Sequence, residues 1–130
     1  MLIYNGENKA LRKYSIFMIL LAIFFLAPLF AEYIWTAGLV WDDGRTNESI
    51  PSMLKAMYLA LSICMVWAAR DPLKNAIIID YVIVSSLLHG LVMLYYAIVL
   101  HWEHAHLWGD VPMLLVLAVL LMFYHPRRLA

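Results

Sequence analysis

The stretch IIIDYVIVSSLLHGLVMLYYAIVLHW, residues 77–102, decides the fold class of this chain. Its only formally charged side chain is Asp80, and it is longer than the roughly 20 apolar residues that a helix needs to cross a bilayer core of about 30 Å. Strands of a transmembrane β-barrel alternate between apolar and polar residues, whereas apolar runs such as residues 16–26 do not. The stretch therefore predicts a transmembrane α-helix.

Three further stretches have the same character, on both sides of the first one. We predict membrane spans at about residues 14–41, 50–69, 77–102 and 107–124. Pro28 predicts a bend in the first span. The expected fold is all-α, a four-helix transmembrane bundle, with residues 1–130 forming a single integral membrane domain.

The composition of the whole chain agrees with this fold class. Of the 130 residues, 65% are hydrophobic and 14% are charged, and the mean hydropathy is +0.81. Soluble domains are about half apolar and about a quarter charged. A chain this small has too little interior to bury so much apolar surface, which excludes a soluble globular protein. A formal net charge of zero argues against nucleic acid as a partner.

The distribution of basic residues predicts the orientation of the bundle. Lys and Arg of short loops accumulate on the cytoplasmic side of membrane proteins. Seven of the nine fall on the side that carries both termini: Lys9, Arg12, Lys13, Arg70, Lys74, Arg127 and Arg128. The other two, Arg45 and Lys55, fall on the opposite side. Both termini are therefore predicted in the cytoplasm, where the basic C-terminal pair can face anionic lipid.

Small residues predict how the second and third spans pack. In lipid, close helix contact depends on small side chains and interhelical hydrogen bonds. The second span has small residues at a strict spacing of four: Ala56, Ala60, Cys64 and Ala68. The third span has Ser86 and Gly90 at the same spacing. Because a short connection makes the two spans antiparallel neighbours, we predict that these two faces meet.

His89 is the side chain whose position says most about function. It lies about twelve residues into its span, roughly 18 Å along a helix and so near the middle of the membrane. Ser85 and Ser86 lie one turn before it and Tyr96 two turns after it, which forms a polar seam. Such a histidine either bonds a serine hydroxyl or a backbone carbonyl and fixes helix packing, or it binds a ligand such as a quinone or handles protons.

Asp80 lies near the start of the same span. One interpretation is an interfacial salt bridge with Arg12, Arg70 or Lys74. The other is a carboxylate through which protons enter toward His89, with water bridging the distance of about 13 Å.

The connection before the fourth span contains several possible metal ligands. Imidazole and carboxylate groups suit zinc, copper and nickel, and five such groups are close in sequence: His101, Glu103, His104, His106 and Asp110. Their spacing matches no strong metal motif. The cluster is either a weak or structural metal site or a solvated loop at the lipid headgroups.

Three short pieces of the chain resemble a known family. They are Ala-Ala-Arg-Asp-Pro at 68–72, Ser-Ser-Leu-Leu-His-Gly at 85–90 and Gly-Asp-Val-Pro at 109–112. Their order and spacing, over about residues 58–112, resemble a family of small bacterial membrane proteins with four helices and no assigned activity. More distantly, the layout resembles DoxX-type four-helix proteins, some of which are membrane subunits of quinone-linked oxidoreductases. The resemblance implies a place in the inner membrane of a bacterium.

Two classes of function fit these observations. The first is a non-enzymatic accessory or assembly subunit of a larger membrane complex, or a self-associating protein, because the chain is small and lacks a complete catalytic set. The second is a quinone-, lipid- or metal-binding membrane protein in redox or transport chemistry that uses His89 and the outer histidines. The sequence assigns no cofactor, and the expected partners are the bilayer and other membrane-protein subunits.

Overall fold

The computed structural model of the chain describes residues 2–30, 33, 35, 40–41, 45–46 and 49–130, with the backbone alone for 40–41, 45–46 and 49–51. Four α-helices carry the fold in this part of the chain: α1 (Lys9–Phe24), α2 (Ser49–Ala68), α3 (Ile77–Val99) and α4 (Asp110–Phe123). Short 3-10 helices follow α1, α3 and α4, at Ala27–Phe30, His101–Trp108 and Pro126–Arg128. Strands β1 (Val40–Trp41) and β2 (Arg45–Thr46) form a small antiparallel pair. Most of the predicted first span beyond residue 30 lies outside the described residues.

The all-helical class predicted from the sequence is confirmed, but the number of helices differs from the prediction. Three helical runs are long and apolar enough to cross a membrane: Lys9–Phe30, Ile77–Val99 and Asp110–Arg128. The apolar part of α2, Ser52–Ala68, is shorter than the roughly 20 residues of a full crossing. Tyr33 is also helical and belongs to none of these elements, so that five helices rather than four are counted among the residues that the structure describes.

Helix α1 begins and ends where its sequence requires. The Asn8 side chain caps the helix by accepting hydrogen bonds from two backbone N–H groups, at 2.9 Å from Ala10 and 3.2 Å from Leu11. The helix ends at Phe24 because Pro28 donates no backbone hydrogen bond and its ring would collide with the Phe24 carbonyl. The predicted bend at the proline is therefore the end of the helix.

Most of the helical surface is apolar and exposed. Between 28% and 33% of each of the three spanning windows is buried inside the protein. Large apolar side chains are exposed instead, for example Trp67 on α2 at 60% and Phe123 on α4 at 71%. A soluble protein rarely exposes contiguous apolar patches larger than a few hundred Å². These helices therefore have surfaces that suit lipid tails.

One end of the bundle, which we call the terminal end, holds both chain termini and a core shared by all four helices. Tyr14 and Met18 of α1, Met65 of α2, Ile79 of α3 and Leu121 of α4 are fully buried there. Because these side chains come from four helices, each helix is fixed against the others at this end.

Two side-chain hydrogen bonds join separate segments at the terminal end. The Ser15 hydroxyl on α1 donates to the Ala69 carbonyl just after α2, at 2.5 Å. The Asn8 amide group donates to the Leu129 carbonyl at 2.8 Å, which ties the start of α1 to the C-terminal segment. The helices therefore run alternately away from and toward the terminal end.

Candidate functional site: a cleft between helices α2 and α3

Helix α3 has two faces with different surroundings. Tyr81, Ser85 and His89 recur every four residues, which places them on one side of the helix, and all three line a cavity next to α2. Gly90 lies on the side that packs against α4, where an added Cβ would be 2.9 Å from Cδ2 of Leu115. One side of α3 thus fixes the helix and the other lines a cleft.

The cleft encloses a cavity of about 160 Å³. Its apolar wall comes from four segments, with Phe25 at the end of α1, Leu61 on α2, Val82 on α3 and Leu114 on α4. Met57 on α2 also lines it, and this side chain is largely exposed on the outer surface of the bundle. The cleft therefore opens sideways, toward the surface that suits lipid.

The polar wall consists of hydroxyl groups and one imidazole. Tyr58 faces the cavity from α2, opposite the α3 residues Tyr81, Ser85, Ser86 and His89. The Ser85 hydroxyl donates a hydrogen bond to the Val82 carbonyl at 3.2 Å, which leaves its oxygen as an acceptor. The cleft thus presents both hydrogen-bond donors and acceptors to a molecule inside it.

The imidazole of His89 makes no hydrogen bond to any residue in the described part of the chain. The serine or carbonyl bond that would lock helix packing is therefore not formed in this structure. The ring is only partly exposed, and it lies in the middle of a membrane-compatible helix. A polar group in such a place is unfavourable by about 1–3 kcal/mol when it lacks a partner.

The predicted contact between the small residues of α2 and those of α3 is wrong. Ala56, Ala60 and Cys64 are exposed, and of that stripe only Ala68 is buried. The inward face of α2 is the opposite side of the helix, which carries Met65 and packs against α1. The close approach that a glycine allows is used by Leu115 of α4. The space between α2 and α3 is the cleft.

Asp80 lies outside the cleft and joins α3 to the C-terminal segment. Its two carboxylate oxygens accept hydrogen bonds from Arg127, at 3.1 Å from Nη1 and 2.7 Å from Nη2. The Nε2 atom of His125 is 3.1 Å from Asp80 Oδ1. The predicted salt bridge at this residue therefore exists, but its partner is Arg127 rather than Arg12, Arg70 or Lys74.

Tyr96 does not belong to the cleft either. Its side chain is half exposed, and its ring packs edge-on against Tyr95, with the ring centroids 5.3 Å apart. The polar seam predicted from Ser85 to Tyr96 therefore does not reach Tyr96. The polar side chains on this side of α3 run from Tyr81 to His89 instead.

The five predicted metal ligands are separated in the structure. His101 and His104 are exposed, whereas Glu103 and His106 are buried. The Nδ1 atom of His106 lies 2.9 and 3.0 Å from the two carboxylate oxygens of Asp110, at the first turn of α4. Among the described residues, no three histidine, cysteine or acidic side chains are placed to hold one metal ion.

The hydrogen-bonded pair of His106 and Asp110 is covered by an aromatic ring. The Trp35 ring packs edge-on against His106 with the centroids 5.3 Å apart, and it lies so close to Gly109 that an added Cβ would be 2.5 Å from it.

Sequence reasoning missed two polar residues of the cleft, and for different reasons. Tyr81 continues the spacing of four that relates Ser85 to His89, so that the sequence did contain this signal. Tyr58 faces these α3 residues from another helix, and the spacing of residues within one helix does not determine its register against another.

The fold and the cleft define a small, all-helical protein whose helices are compatible with a membrane. The chain belongs to DUF6632, a family of unknown function, whose model matches residues 8–126. Neither the curated proteins nor the solved structures with which we compared the chain contain a match.

Proposed function

We propose that this chain is an integral membrane protein whose single domain, residues 1–130, crosses the bilayer four times. The exposed apolar surfaces of α1, α3 and α4 support three crossings. The 20 residues of α2 extend about 30 Å at 1.5 Å per residue, so a fourth crossing fits if its first turn lies among the headgroups. The excess of Lys and Arg at the terminal end supports termini in the cytoplasm. A place in the inner membrane of a bacterium rests on the resemblance of the three short sequence pieces alone.

The function that the geometry favours is binding of a small amphiphilic molecule from the bilayer. The observation that carries this proposal is the His89 imidazole, which faces the cavity and makes no hydrogen bond within the described part of the chain. A ligand that hydrogen-bonds this ring would remove the penalty of about 1–3 kcal/mol for an unsatisfied polar group. The phenols of Tyr58 and Tyr81 supply two more polar groups.

The size and chemistry of the cleft suggest the class of ligand. A cavity of roughly 150 Å³ holds a benzene-sized molecule, so about 160 Å³ suits one six-membered ring. Imidazole and phenol groups both donate hydrogen bonds, which suits carbonyl oxygens on that ring. The sideways opening leaves room for a hydrocarbon tail among the lipids. A quinone has the six-membered ring, the carbonyl oxygens and the hydrocarbon tail. A lipid with a carbonyl-bearing headgroup has the carbonyl oxygens and the tail but not the ring.

Thermal denaturation of the full-length protein in mild detergent, with and without a decyl-substituted benzoquinone, tests this proposal. A ligand at 100 times its Kd adds about 2.7 kcal/mol to the free energy of unfolding, so the quinone is expected to raise the Tm of the wild type clearly. His89→Ala is expected to abolish this shift and Tyr58→Phe to reduce it. His104→Ala removes an exposed histidine outside the cleft and is expected to keep the shift.

Two results would count against the quinone. One is a wild-type Tm that does not respond to it, and the other is an equal response in His89→Ala. Mass spectrometry of the lipids that co-purify with wild type but not with His89→Ala then decides whether the cleft takes a lipid headgroup instead. The likeness in layout to DoxX-type proteins remains a prediction, and the cleft proposal does not depend on it.

A second function is association with other membrane-protein subunits or with a second copy. The exposed side of α2 favours it, because Ala56, Ala60 and Cys64 leave a flat surface on a membrane helix. Cys64 is the only cysteine, so a bifunctional maleimide in native membranes is expected to link two copies through it. A variant with Cys64→Ser and Leu59→Cys moves the thiol to another exposed position of the same helix and is expected to link poorly. Equal linking of the two proteins, or none, contradicts self-association through this side.

A further inference from the structure

The terminal end of the bundle exposes basic side chains from three separate segments. They come from α1, from the turn between α2 and α3, and from the residues after α4, and all are exposed: Lys9, Arg12, Lys13, Arg70, Lys74, Arg127 and Arg128. The hydrogen bonds from Ser15 to Ala69 and from Asn8 to Leu129 hold these three segments beside one another. The cations therefore surround one end of the molecule.

Three acidic residues lie at this end, Glu7, Asp71 and Asp80, against seven basic residues, so that four positive charges remain in excess. Asp80 is engaged by Arg127 and His125. An oxygen of the Asp71 side chain accepts the backbone N–H of Lys74 at 3.1 Å, which shapes the turn. Within the described part of the chain, no carboxylate lies within 4.0 Å of the other six cations.

The cations lie next to the apolar surface of the helices. Trp67 near the end of α2, Ile77 at the start of α3 and Phe123 at the end of α4 are each at least 60% exposed. In a bilayer these side chains would face acyl chains close to the interface. The basic residues beyond them then lie at the depth of the lipid phosphates.

We propose that the terminal end is a binding surface for anionic phospholipid headgroups. Each Lys or Arg at such a surface favours an anionic lipid about fivefold, the factor that corresponds to about 1 kcal/mol. The surface acts through six unpaired cations around the bundle rather than through a single pocket. The lipid collects around the end of the helices and leaves the cleft between α2 and α3 to its own ligand.

The test measures the association of spin-labelled phosphatidylglycerol and phosphatidylcholine with the full-length protein in phosphatidylcholine vesicles. We expect the wild type to prefer phosphatidylglycerol. The double variant Arg70→Glu and Lys74→Glu reduces the net charge of the six cations from six to two, so the logarithm of the preference for phosphatidylglycerol should fall by about two thirds. The matched variant Arg45→Glu and Lys55→Glu makes the same change in charge away from the terminal end and should keep it.

Salt provides a second readout that needs no variant. Raising the salt from about 20 mM to about 0.5 M shortens the screening length to a few ångströms and is expected to remove most of the wild-type preference. Equal association of the two lipids with the wild type overturns the proposal. So does a preference that survives high salt, or one that both charge variants lose equally. None of these outcomes bears on binding of a quinone in the cleft.

Discussion

Substitution of Gly90 tests the contact that fixes α3 against α4. A Cβ at this position would lie 2.9 Å from Cδ2 and 3.1 Å from Cγ of Leu115, and 3.4 Å from Cβ of Leu114. Carbon atoms in good contact are about 3.5–4.0 Å apart, so Leu115 must move by a few tenths of an ångström or more. Such overpacking costs about 1–3 kcal/mol, whereas alanine is favoured over glycine in a helix by about 1 kcal/mol. Gly90→Ala should therefore lower the free energy of unfolding by up to about 2 kcal/mol.

Gly90→Leu adds three more carbon atoms at the same crowded point and gains nothing further from helix propensity. We expect it to lower the free energy of unfolding by about 3 kcal/mol or more, which is roughly 12 °C in Tm for a chain of this length. The assay is thermal unfolding in mild detergent, followed by circular dichroism. Val84→Leu enlarges an exposed side chain on the same helix and is expected to leave the Tm unchanged.

A double-mutant cycle separates this contact from a general effect of size. Leu115→Ala removes the atoms that the new side chain would meet, so the combined variant should be more stable than the sum of the two single effects predicts. The coupling is expected to be about 1–3 kcal/mol. If the two substitutions are additive, Gly90 does not face Leu115 and the assignment of the two faces of α3 fails.

Three further substitutions test the other tertiary contacts through the Tm. Asp80→Asn weakens the bidentate pair with Arg127, which is partly exposed, and should lower the free energy of unfolding by about 1 kcal/mol; an unchanged Tm would show that this pair does not hold the C-terminal segment. Asn8→Ala removes the cap of α1 and the hydrogen bond to the C-terminal segment and should lower the free energy of unfolding by about 1–2 kcal/mol. A smaller effect than that of Asp80→Asn would contradict this double role of Asn8. Asp110→Ala leaves the fully buried His106 without its carboxylate and should lower the free energy of unfolding by about 1–3 kcal/mol. Asp110→Asn should lower it by less, so equal Tm values for the two variants would argue against the hydrogen bond.

The helical fold was predictable because it depends on length and hydropathy, which a sequence contains directly. The run at 77–102 predicted α3, observed at Ile77–Val99, without any knowledge of its neighbours. The all-helical class followed from such runs. The early end of α1 was harder to predict, because whether a proline bends a helix or ends it depends on what packs around it.

The packing of the helices was not predictable to the same degree. Small residues on α2 and α3 indicated a close contact, but small residues on a membrane helix show only that a close contact is possible. Which helix uses it depends on the register and rotation of all four helices, and here Leu115 of α4 occupies the surface of Gly90. The same reason explains why Arg127, 47 residues away in sequence, was missed as the partner of Asp80.

The difference between His89 and the buried serines of the bundle supports a ligand in the cleft. Ser15 and Ser62 are buried and hydrogen-bond to backbone carbonyls, whereas His89 has no such partner in the described part of the chain. If the histidine served stability alone, an apolar side chain of similar size would serve it better. His89→Leu should therefore raise the Tm of the ligand-free protein, by an amount corresponding to about 1–3 kcal/mol, while it abolishes the response to the quinone. If the ligand-free variant has a lower Tm than the wild type, the imidazole stabilises the fold, and His89 no longer supports a binding site in the cleft.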